Sequence, residues 1–154
     1  MTAFFPAFAV FLLWKLDLTK SIFLRTQKER IIPYVITMFF YWWMYYLSRN
    51  MKDQPEALKF FYFGIFMSTV AGLILNNFIK ISLHALAMGG AVTAIVLCSF
   101  FYQTPLYIEI GIATIIAGIV CTSRLILNSH TNFEIYAGLA IGALCQLIGY
   151  WFVM

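Results

Sequence analysis

Between positions 123 and 134 the chain reads Ser123-Arg124-Leu125-Ile126-Leu127-Asn128-Ser129-His130-Thr131-Asn132-Phe133-Glu134, at the join of two apolar runs. An arginine, a histidine and a carboxylate beside a bilayer are each costly without a partner, and ionisable groups in that setting mark function by default. Glu134 follows His130 by four positions. If the stretch is helical, the two share a face. The carboxylate can then hold the imidazole in one tautomer and support its cationic form. Arg124 presents a planar fork of donors suited to a phosphate or carboxylate. The same three residues also suit an ion-paired helix end at a membrane interface, and the stretch alone does not separate the two readings.

The elements that position this stretch follow from composition. Of 154 residues, 63% are hydrophobic and only 10% charged, where a soluble domain keeps roughly a quarter charged. The chain is therefore an integral membrane protein of one domain. Its apolar runs predict an all-α bundle of six transmembrane helices at about 3–18, 31–47, 57–79, 81–101, 106–122 and 133–154, since an open sheet cannot satisfy its backbone in lipid. The first run is short for a span of ~20 residues. It reads either as a tilted helix extended to Leu18 or as the remnant of a longer one. No cleavable leader is evident: no basic region precedes Ala3–Trp14 and no small-residue cleavage site follows it.

Lys15–Arg30 is the most charged segment, and Pro33 after it suits the first turn of a helix. Tyr41, Trp42, Trp43, Tyr45 and Tyr46 form an interfacial anchor at the end of the second run. Gln103-Thr104-Pro105 is a tight connection. Gly111 and Gly118, and Gly138 with Gly142, stand at spacings that let helices approach closely. Cys98, Cys121 and Cys145 lie within apolar runs without metal-ligand spacing and read as small packing residues. The net charge of +4 sits near membrane edges, so the basic residues fit phospholipid headgroups and not nucleic acid.

Six spans put the first, third and fifth loops on one side of the membrane. Arg25 and Arg30 belong to the first, Lys80 and His84 to the third, and Arg124, His130 and Glu134 to the fifth. Every candidate reactive group then shares one face, which scattered structural charges need not do. That face carries Lys15, Lys20, Arg25, Lys28, Arg30, Lys80 and Arg124 against Arg49, Lys52 and Lys59 on the other, and the positive-inside rule would make it cytoplasmic.

In order, spacing and position at helix ends, these residues resemble the type-2 phosphatidic acid phosphatase superfamily of lipid phosphatases, in a divergent bacterial branch. That family carries KxxxxxxRP, then PSGH, then SRxxxxxHxxxD. The third signature is matched from Ser123-Arg124 through His130 to Glu134, with Glu for Asp. The second falls on Ile81-Ser82-Leu83-His84 and keeps Ser and His. The first falls on Arg25 through Ile32-Pro33, with Arg for Lys and Ile for Arg.

The resemblance implies a six-helix core and a metal-independent, cofactor-free reaction on a lipid phosphate or pyrophosphate. His130 would be the nucleophile that forms a phosphohistidine, Glu134 would orient it, and His84 would protonate the leaving alkoxide. Arg124, Ser123, Arg25 and Ser82 would hold the phosphoryl oxygens. Ile32, in place of arginine, removes a charge-assisted bond worth roughly 1.5–3 kcal/mol, and Arg30 or Lys80 is the substitute at hand. Membrane lipids are the partners implied, in a bacterial inner membrane with the site facing the periplasm. The chemistry fits, because phosphoryl transfer asks for positioning and positive charge more than for covalent machinery. A second reading keeps the bundle and the anion site but no turnover, with the protein holding an anionic headgroup. A channel or transporter fits less well, since the ionisable groups stand at helix ends and not at the bilayer midplane.

Overall fold

The computed structural model describes residues 27–154 together with Phe8, Phe11 and Lys15; for residues 27–30 it describes the helical backbone alone. Over residues 27–154, five helices follow one another: α1 Gln27–Asn50, α2 Glu56–Leu75, α3 Leu83–Phe101, α4 Tyr107–Ile126 and α5 Asn132–Val153. Four of them, α2 to α5, are long and apolar enough to cross a membrane, as expected of an integral membrane protein.

This corrects the expected six-transmembrane bundle of the lipid phosphatase type. The run at 3–18 lies outside the described residues apart from Phe8, Phe11 and Lys15. The run at 31–47 is helical, as part of α1, but α1 is not among the helices apolar enough to span. Its last three turns hold two tryptophans and three tyrosines, whose polar handles suit the interface and not the hydrocarbon centre. Pro33 also departs from its expected place. It stands in the interior of α1, one and a half turns from Gln27, where it removes a backbone donor.

The last helix lies at the centre. α5 packs between α3 and α2, with its most extensive contact on α3; α1 covers the outer side of α2, and α4 leans on α3. Lipid tails are as apolar as leucine, so helices here associate by close packing and interhelical hydrogen bonds. Close packing is carried by glycine. A Cβ on Gly142 would stand 2.0 Å from the Leu86 carbonyl oxygen, and one on Gly89 would stand 2.1 Å from that of Leu139. The α3 and α5 backbones therefore touch with no side chain between them. On the other side of α5, Gln146 is fully buried and donates from Nε2 to the Phe60 carbonyl of α2 at 3.4 Å.

Gly111 and Gly118 differ. A Cβ on either would meet nothing within 4 Å, so the α4 pair is not used for packing inside this chain. The contrast gives a test. Gly142→Ala, whose methyl meets backbone that has nowhere to go, should cost on the order of 3 kcal/mol. Gly118→Ala should leave stability unchanged or raise it by up to about 1 kcal/mol through helix propensity. Thermal unfolding in detergent micelles measures both.

Candidate functional site

The site is built from two chain reversals. At the end of α4, Asn128 adopts a left-handed backbone, φ 48°, a conformation that asparagine tolerates better than most residues. Its N–H donates to the Leu125 carbonyl at 2.9 Å and the N–H of Ser129 to that of Arg124 at 3.2 Å. This pair of bonds is the Schellman closure of a helix, and it turns the chain straight into α5.

α5 opens with a capping box. Thr131 is the N-cap: its hydroxyl oxygen accepts from the Glu134 N–H at 3.3 Å, while Glu134 Oε2 accepts the Thr131 N–H at 3.1 Å. A glutamate is long enough to reach back in this way. His130 therefore stands just outside the helix. It does not share a helical face with Glu134, as the four-residue spacing suggested. The carboxylate reaches it across the cap instead, with Nδ1 and Oε2 2.9 Å apart.

A second acceptor meets the same nitrogen. The Lys80 carbonyl, in the segment joining α2 to α3, lies 3.1 Å from His130 Nδ1. Neither a carbonyl nor a carboxylate can donate, so Nδ1 carries the proton and shares it between them. Nε2 is left as the basic nitrogen. The side chains of His130 and Glu134 are only 6% and 17% exposed, so water screens the pair less than it would a surface ion pair.

Lys80 grips the turn twice. Besides its carbonyl, its Nζ donates to the Ser129 carbonyl at 3.2 Å, and an ammonium has two further donors to offer. The Ser82 N–H donates to the Glu134 carbonyl at 3.4 Å, which sets the first turns of α3 and α5 side by side. Lys80, Asn128, Ser129, His130, Thr131, Asn132 and Glu134, with Leu125, line a recess of about 450 Å³.

Other residues singled out from the sequence fall elsewhere. Ser82 is fully buried, and its hydroxyl oxygen accepts from the Ala85 N–H at 3.4 Å as the N-cap of α3. Ser123 donates to the Val120 carbonyl at 2.7 Å within α4. His84 is exposed in the first turn of α3 and does not line the recess. Arg124 occupies the last turn of α4, where a cation is favoured by the helix dipole. Its Nε is buried and has no hydrogen-bond partner among the described residues. Arg25 lies outside the described residues, as does the side chain of Arg30. Among the described residues, no three His, Cys, Asp or Glu side chains group as a metal site would require.

Sequence reasoning missed the scaffold role of Lys80 and the part of Asn128 and Thr131. The Thr131…Glu134 spacing was a readable capping-box signal. The Lys80 carbonyl was not, because a main-chain acceptor leaves no trace in residue type.

If Glu134 and Lys80 fix the tautomer together, Glu134→Ala should leave His130 as a mixture of tautomers, seen in its ¹⁵N shifts, and should cost α5 about 1 kcal/mol of capping energy. Glu134→Gln, whose side-chain oxygen still accepts, should keep Nδ1 protonated. No known family model matches the chain, nor does any curated protein or solved structure.

Proposed function

We propose that this membrane protein binds the phosphate or pyrophosphate group of a lipid at the junction of the α2–α3 and α4–α5 segments and hydrolyses it through His130. Nε2 would attack phosphorus as the bond to the lipid oxygen breaks. The leaving oxygen takes a proton from water, and a second water then cleaves the phosphorus–nitrogen bond to release phosphate and the free imidazole. The observation that carries this reading is the hydrogen bonding of Nδ1. Two acceptors hold the proton on that nitrogen, so the lone pair of Nε2 is available and the positive charge that develops on the ring is met by Glu134.

Three further features support an anion there. The Lys80 ammonium lines the recess. The N-terminus of α5 contributes its positive end. Arg124, one residue before the recess-lining Leu125, adds a cation at the end of α4. By the resemblance to the type-2 phosphatidic acid phosphatases, the recess faces the periplasm of a bacterial inner membrane. Phosphatidic acid, a polyprenyl pyrophosphate and other lipid phosphates all present the group required.

One observation favours a second reading, in which the headgroup is held without turnover. Of the two histidines, His130 lines the recess and His84 does not. Phosphate release from phosphatidic acid and a polyprenyl pyrophosphate, by protein reconstituted in vesicles, separates the two. Release that persists in chelator and falls to background in His130→Ala supports hydrolysis, and Glu134→Ala should then lower it by roughly 10²–10⁴-fold. Release that is unaffected by His130→Ala rejects the catalytic reading. Saturable binding without release establishes the second.

A further inference from the structure

An apolar groove of about 610 Å³ runs between α3, α4 and α5. It exists because α4 packs on α3 and makes little direct contact with α5, and because the facing positions are small, Gly118 on α4 and Ala140 on α5 among them. The groove does not stand apart from the polar recess. Leu125 and Asn132 line both, so its upper end opens beside Lys80 and His130.

Its length is informative. On α4 the lining extends from Leu125 to Thr114, and on α5 from Asn132 to Ala143. At 1.5 Å per residue each wall is about 16 Å long. The hydrocarbon core of a bilayer is about 30 Å thick, so the groove reaches down about one leaflet. A polar recess that carries the Lys80 ammonium, above an apolar slot one leaflet deep, has the layout and the dimensions of a single lipid.

We propose that the α3–α4–α5 groove holds one hydrocarbon chain of a membrane lipid whose phosphomonoester headgroup occupies the Lys80–His130 recess. The proposal rests on the reading of that recess as an anion site, and it holds whether or not the bound lipid is turned over. α4 is the outer wall of the slot, and selection among lipids comes from headgroup charge above and chain width below. Gly118 is the gauge: it lines the groove, and a Cβ there would meet no atom within 4 Å, so a bulky side chain has room to begin and narrows the groove as it extends.

The test uses the full chain in phosphatidylcholine vesicles, doped with phosphatidic acid that bears a diazirine midway along one acyl chain. The same tail on phosphatidylcholine serves as the comparison. After photolysis, label is expected on peptides of α4 and α5 within the groove, several times stronger for phosphatidic acid. It should fall at least fivefold in Gly118→Phe and stay unchanged in Gly111→Phe, which is equally open but lies off the groove. Equal labelling by the two headgroups, label spread over the outer faces of α1 and α2, or indifference to Gly118→Phe overturns the proposal. Phosphate release is scored separately. Groove labelling without release leaves this inference standing and removes the catalytic reading; release without groove labelling does the reverse.

Discussion

The contact on which the rest of the molecule depends is made by backbone alone. Where α3 crosses α5, Gly142 lies against the Leu86 carbonyl and Gly89 against that of Leu139. In lipid, two helices gain little by hiding apolar side chains from one another. Shape is what remains, and the approach is tightest where side chains vanish. Once those two helices are so close, their first turns are neighbours, and the segments that lead into them are bound to meet. The link between Ser82 and Glu134 and the paired grip of Lys80 on the α4–α5 turn follow from that crossing.

The chemistry of the junction is assembled from parts whose first duty is to end one helix and begin another. Asn128 closes α4, Thr131 and Glu134 open α5, and the histidine is the residue caught between the two closures. Its rotamer is thus set by helix termination on one side and initiation on the other. A single carboxylate oxygen serves both as the reciprocal half of a cap and as the partner of the imidazole. Orientation of the ring and stability of the helix are therefore not independent quantities in this protein.

Legibility in the sequence tracked the range of the interactions. The membrane character, the apolar runs from α2 to α5 and the Gly138–Gly142 seam could be read because they are local patterns. The pairing of His130 with Glu134 was visible as a spacing, although its physical route, across a cap and not along a helix, was not. The number of spans was misjudged because tryptophan and tyrosine in α1 were counted as hydrocarbon when half of each ring system prefers the interface. The second acceptor on His130 comes from a residue fifty positions away through its main chain, and residue identity carries no record of it. His84, the other histidine singled out from the sequence, is exposed in the first turn of α3 and is not among the residues that line the recess.

The junction is held largely through main-chain oxygens: the carbonyls of Lys80, Ser129 and Glu134 accept three of the bonds that tie the two segments together. An oxygen of that kind survives any change of side chain. The side chains of the α2–α3 segment can thus be exchanged while its backbone continues to hold the imidazole in place.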